Sequence, residues 1–203
     1  MKRMIERFTF TERAIHWMTA ISFVYAALTG LALWSHKLYW LASVFGGGPV
    51  TRASHPWAGT IFALMLGFMF RGWVSFMKID AQDKVWLRKS LQYAMNDHHG
   101  VPDAGRFNAG QKMLFWTQAA AALLLFATGI VLWNPSVMPR TARLAAILLH
   151  PAAALVSITG IIVHIYMGVF VVPKALHAMV RGEVTPGWAR AHHRAWYAGL
   201  KGK

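Results

Sequence analysis

The chain contains no cysteine. Disulfides, thiolate zinc sites, iron–sulfur clusters held by this chain and covalent haem attachment through a Cys-x-x-Cys-His element are thereby excluded. Acidic residues are nearly as scarce: seven Asp and Glu stand against 21 Lys and Arg in 203 residues, for a formal net charge of +14. Charged residues make up only 14%, where soluble domains use roughly 25%. No Asp or Glu falls inside the long apolar runs, so a carboxylate proton relay through them is excluded too.

What is present is apolar, at 56% of residues, and gathered into four blocks. Helices are predicted over about 14–34, 53–77, 111–133 and 144–172, each reaching the ~20 residues that cross a ~30 Å hydrocarbon core. The predicted fold is therefore an all-α membrane protein, a four-helix bundle in one domain spanning 1–203, with no strong internal repeat. The first block runs 21 residues without a small-residue cleavage site, so it is expected to stay as a helix rather than be removed as a signal.

Lysine and arginine bias short loops toward the cytoplasm. Lys2, Arg3, Arg7 and Arg13 precede the first helix. Lys78, Lys84, Arg88, Lys89, Arg106 and Lys112 occupy the second loop, and six more lie in the basic tail 173–203, including Lys203. The opposite loops hold only Lys37, Arg52, Arg140 and Arg143, which predicts cytoplasmic termini. Spread over loops of a membrane protein without a binding motif, this charge fits topology and anionic lipid better than nucleic acid. Spacing of Val85, Leu87, Leu91 and Met95 predicts an interfacial helix over 85–95. Another is expected after residue 172, ended by Gly182, before a basic, aromatic interfacial tail.

Of ten histidines, His36, His98, His99, His177, His192 and His193 lie in loops or tails and read as solvated or headgroup residues. His16, His55, His150 and His164 lie in or at the edge of predicted spans, where an ionisable group is costly and points to function. The first helix enters near His16 and the fourth leaves near His164, which places both at the cytoplasmic side; His55 and His150 start their helices at the opposite side. On the fourth helix the run LLHPAAALVSITGIIVHIYMG separates its two histidines by fourteen residues. That is roughly 21 Å along the axis and nearly a whole number of turns, so both leave from one face.

Two such pairs, one per leaflet, match two bis-histidine iron centres. A b haem needs two imidazoles from facing helices and an apolar interior, whereas zinc or copper calls for three or four clustered ligands. Gly30, Gly59, Gly160 and Gly168 lie in phase with or beside the histidines and leave room for a porphyrin, although close helix packing also uses glycine. Pro151, directly after His150, removes a backbone hydrogen bond and can kink its helix. The element FNAGQK, 107–112, reads two ways. Its amides and exposed helix-start N–H groups suit a quinone carbonyl, or Asn108 is a plain N-cap.

The elements TERAIHW, RASHPWAG, GRFNAGQKMLFW, HPAAALVSITGIIVHIYMG and WARAHH occur in this order over most of the chain. Together they resemble the gamma, cytochrome b, subunit of membrane-bound respiratory formate dehydrogenase. The resemblance implies two b haems, on His16 with His164 and on His55 with His150. It also implies a quinone, menaquinone or ubiquinone, contacted by Asn108, Gly110, Gln111 and His164. An iron–sulfur beta subunit on the periplasmic side of a bacterial inner membrane would supply the electrons, and a molybdopterin-containing alpha subunit would oxidise formate. Similar bundles serve membrane hydrogenases and other molybdoenzymes; a histidine-based proton channel or transporter is the alternative of a different class.

Overall fold

A computed structural model describes residues 4–95, 97 and 99–201. His98, and Lys2, Arg3 and Lys203 of the charge asymmetry, lie outside the described residues. The protein is an all-α membrane protein. Its long helices are α1 (Phe10–Trp34), α3 (Gly48–Trp73), α6 (Ala109–Trp133) and α7 (Arg140–Tyr166), all apolar and long enough to span a bilayer. Between α1 and α3 lies a short helix, α2 (Leu41–Val44). The other helices are α4 (Ala81–Arg88), α5 (Ser90–Ala94), α8 (Ala175–Arg181), α9 (Pro186–His192) and α10 (Arg194–Lys201). Two short strands, β1 (Ile5–Glu6) and β2 (Glu183–Val184), pair antiparallel.

Helix starts explain where the predicted boundaries moved. Thr9 and Glu12 form a reciprocal capping box, with the Thr9 N–H donating to Glu12 at 2.9 Å and the Glu12 N–H to the Thr9 hydroxyl at 3.3 Å. This starts α1 ahead of its apolar run. Asp80 and Asp83 do the same for α4, and Asn108 and Gln111 for α6. The helix expected over 85–95 is instead two, α4 and α5, interrupted at Lys89. Its packed side also differs: Trp86 and Tyr93 are buried with Ala109, while Leu91 and Met95 are exposed. Wide aromatic rings reach the neighbouring helix start, which leaves the aliphatic stripe facing outward.

The chain forms two compact units. The first comprises residues 1–13, 72–117 and 161–203 and is held by polar and aromatic contacts. Glu12 accepts from the Arg106 guanidinium at 2.6 Å and from the Trp73 indole at 2.8 Å. A buried ion pair, Lys112 to Asp83 at 2.6 Å, ties α6 to α4. Arg7, almost wholly buried, donates to the Arg106 carbonyl and lies 4.4 Å from the Trp196 ring centre. Gly182 (φ 85°) closes α8 and accepts from the Arg7 and Phe8 N–H groups through its carbonyl. Only a residue tolerant of the left-handed region suits that turn.

His193 departs from the solvated reading, being only 3% exposed. Its Nδ1 donates to the Gly105 carbonyl at 2.8 Å, and Arg7 donates to its Nε2 at 3.3 Å. This arrangement requires the neutral ring. The tail therefore folds back on the N-terminus through a contact invisible in local pattern.

The second unit comprises residues 14–71 and 118–160. Its outward residues are large and apolar, such as Ile21, Leu64, Leu123 and Leu148, while Thr29, Thr51, Gln118 and Ser157 are buried. Lipid offers no hydrophobic drive between helices, so small and hydrogen-bonding residues make the contacts. The Ser157 hydroxyl donates to the Gln118 side-chain carbonyl at 2.5 Å and the Gln118 amide to the Ser157 carbonyl at 3.0 Å, joining α6 and α7.

Burial, then the Arg7 cation, hold the His193 imidazole down to about 3, against ~6.5 in an unfolded chain. Its contribution to stability is present above pH ~6.5 and is lost as pH falls from there through about 3. Limited proteolysis of the C-terminal tail should accelerate as pH drops below ~6.5, and His193→Asn should flatten that dependence. Identical pH profiles for both chains would refute it.

Candidate functional site

His55 lies in the first third of α3 and His150 in the first half of α7. Both belong to the second unit. Each is followed by a proline, Pro56 and Pro151, yet each helix continues through it. The helical path from His150 to His164 is uninterrupted, as the same-face spacing requires.

The His55 and His150 rings face each other with centroids 6.2 Å apart and planes at 74°. The Nδ1 of His55 is 2.9 Å from the Thr29 hydroxyl of α1, and the Nδ1 of His150 is 2.9 Å from the Thr128 hydroxyl of α6. Backbone space is part of the arrangement. A Cβ on Gly30 would stand 3.0 Å from the His55 Cε1, and one on Gly129 would stand 3.6 Å from the His150 Cε1. All four long helices thus contribute to holding this one pair.

Beside the rings is an open cleft lined by residues such as Phe23, Gly59, Phe62, Leu125, Phe126 and Ile158. No Asp, Glu, Lys or Arg lines it, so its walls suit an apolar ligand. Among the described residues no cluster of three or more His, Asp or Glu side chains is placed to hold a bare metal ion. The pair could instead offer two imidazoles to one centre. Two imidazoles from different helices, 6.2 Å apart between ring centres beside an apolar cleft, are the donor set a b haem calls for. The residues fit an iron porphyrin.

His16 and His164 fall in different units and are described separately. His16, half-buried on α1, contacts the edge of Trp17 at 5.4 Å between centroids. His164, half-buried, lies near the end of α7, just ahead of a π-helical stretch over Met167–Val171. Such wide turns recur where a helix carries a functional side chain.

The FNAGQK element begins α6. The Asn108 N–H donates to the Gln111 side-chain oxygen and the Gln111 N–H to the Asn108 side-chain oxygen, both at 2.9 Å. Each amide oxygen accepts within the cap, and the Asn108 side chain also hydrogen-bonds the buried Tyr93 hydroxyl. Gly110 has a packing role as well: a Cβ there would meet the Trp86 indole at 3.1 Å.

Residues 7–182 match the family described as prokaryotic cytochrome b561. The chain belongs to that family. Among its relatives is the cytochrome b556(Fdn) subunit of the nitrate-inducible formate dehydrogenase of Escherichia coli (strain K12), 35% identical over 198 residues, 96% of this chain and 91% of the relative. The formate dehydrogenase cytochrome b556(fdo) subunit of the same organism is 36% identical over 203 residues, covering 97% and 94%. The formate dehydrogenase cytochrome b556 subunit of Haemophilus influenzae is 35% identical over 188 residues, covering 91% and 79%. As a cytochrome b of this family, the chain is a haem b protein.

Thr29, Thr128 and Gly129 were not singled out in the sequence. A signal for them exists in retrospect: TGLALW at 29–34 and TGIVLW at 128–133 share Thr-Gly and Leu-Trp at the same offsets, and His-Pro occurs at both 55–56 and 150–151. Gly30→Val should drive the His55 ring off its position and lower the b-type absorbance of the purified chain. Gly72→Ala, where a Cβ meets nothing within 4 Å, should leave it intact. Equal spectra for the two variants would show that the close approach at Gly30 is immaterial.

Proposed function

We propose that the chain is the membrane cytochrome b subunit of a formate dehydrogenase, carrying electrons from a periplasmic iron–sulfur subunit through two b haems to quinone on the cytoplasmic side. The observation that carries this reading is the facing His55–His150 pair beside an apolar space, in a chain of the cytochrome b561 family. Relatives of nearly the same length are named as formate dehydrogenase cytochrome b556 subunits, which supports a formate dehydrogenase as the assembly. The partners in this reading are an iron–sulfur beta subunit and a molybdopterin-containing alpha subunit that oxidises formate.

Bound haem b supplies reversible one-electron exchange at iron. The protein's part is to hold, orient and keep dry. His55 and His150 would hold the outer haem, and His16 and His164 the inner one. The apolar lining around the first pair excludes water and keeps the local dielectric low. At the cytoplasmic side the amides of Asn108 and Gln111, the small Gly110 and His164 would bound the site for menaquinone or ubiquinone.

With both termini cytoplasmic in a bacterial inner membrane, electrons enter from the periplasm while quinone takes up its protons from the cytoplasm. Each turnover would then move charge across the bilayer. Membership of a cytochrome family favours haem ligation by these histidines over a histidine-based proton channel.

A reduced-minus-oxidised spectrum of the purified chain should show b-type bands from two centres. His55→Ala should remove the outer centre and leave the inner one; loss of both from a folded protein would argue against separate pairs. Asn108→Ala should slow haem reoxidation by added quinone by about tenfold, the worth of one hydrogen bond of ~1.4 kcal/mol, without changing the spectrum. Unchanged reoxidation would remove Asn108 from the quinone site.

A further inference from the structure

We propose that Thr29 and Thr128 are positioning residues for the outer haem: each accepts the Nδ1–H of one axial histidine, fixing the tautomer that turns Nε2 toward iron and setting the electron affinity of the centre. The inference rests on the reading of His55 and His150 as haem ligands.

The proton count decides the direction of these bonds. A threonine hydroxyl has one hydrogen to give. The Thr29 Oγ1 lies 2.7 Å from the Tyr25 carbonyl and 3.1 Å from that of Ala26, and a carbonyl can only accept. The hydroxyl hydrogen is therefore committed to its own helix, and the Thr29 oxygen meets the His55 Nδ1–H as an acceptor beside the Ala26 carbonyl, to which the ring also hydrogen-bonds. Thr128 repeats the arrangement, 2.6 Å from the Leu124 carbonyl and 3.3 Å from that of Leu125, with its lone pair toward the His150 Nδ1. Thr29 is fully buried and Thr128 is 7% exposed, so bulk water does not compete. Both rings are consequently Nδ1–H tautomers, with the Nε2 lone pair as the ligating atom.

The two halves are copies of one device. In each, a Thr-Gly pair clamps the histidine of another helix, the threonine holding Nδ1 and the adjacent glycine admitting Cε1. The copying stops at this site. His16 stands thirteen residues before Thr29, but Phe115 stands thirteen before Thr128; His164 follows His150 by fourteen, but Met69 follows His55 by fourteen. The threonines therefore act on the outer centre alone.

An acceptor on the far nitrogen makes an imidazole a more basic ligand, which favours the more positively charged, ferric iron. Valine keeps the shape of threonine and lacks the acceptor. In the haem-loaded full chain, an optical redox titration of Thr29→Val should show the outer haem favouring its reduced form by about tenfold, an upward shift of ~59 mV for a one-electron couple. The inner haem should be unmoved, and Thr29→Ser, which restores the hydroxyl, should return the outer potential toward that of the unsubstituted chain. Thr128→Val should reproduce the shift from the other half. Retained outer haem with an unchanged potential in both valine variants would overturn the inference while leaving the ligand assignment standing. An unsubstituted chain without an outer b haem would instead overturn the assignment itself.

Discussion

A histidine among lipid-buried helices carries one N–H and one lone pair, and neither can be left to water. The second unit is organised around that constraint. Thr29 and Thr128 take up the Nδ1 sides of His55 and His150, and Gly30 and Gly129 remove the side chains that would stand in the way. The lone pairs then need an electrophile, and two rings 6.2 Å apart beside an apolar space offer room for one iron between them. Helix composition follows from the same site. Small and hydroxyl-bearing residues turn inward, and the large aliphatic ones turn to lipid.

The first unit answers to a different solvent. Three capping boxes, the Lys112–Asp83 pair and the Glu12–Arg106–Trp73 cluster satisfy charged and backbone groups where the chain leaves hydrocarbon. The β1–β2 pair and the Arg7–His193 contact close the two ends of the chain on each other. Gln111 has a place in both worlds, since the side chain that caps α6 is also the one proposed to border quinone.

The long helices were legible because length and apolarity are local properties of sequence: 14–34, 53–77, 111–133 and 144–172 all lie within or close to the helices observed. That His55 and His150 come together was legible from their depth along the helices. What escaped reading depended on contacts distant in sequence. His193 looks like a solvated tail residue until Arg7, 186 positions away, is brought against it. Thr29 looks like any hydroxyl bonded back to its own helix, and its second role exists only once α3 delivers His55. In the segment 85–95, regular aliphatic spacing marked one face, whereas burial of Trp86 and Tyr93 selected another.

The assignment of paired histidines as haem ligands is tested most directly by near-infrared magnetic circular dichroism of the oxidised, haem-loaded full chain, because its charge-transfer bands report the axial ligands of each low-spin ferric haem. Bis-histidine bands are expected for every haem in the chain. Bands of histidine–methionine ligation, or a high-spin centre with an open position, would contradict the assignment.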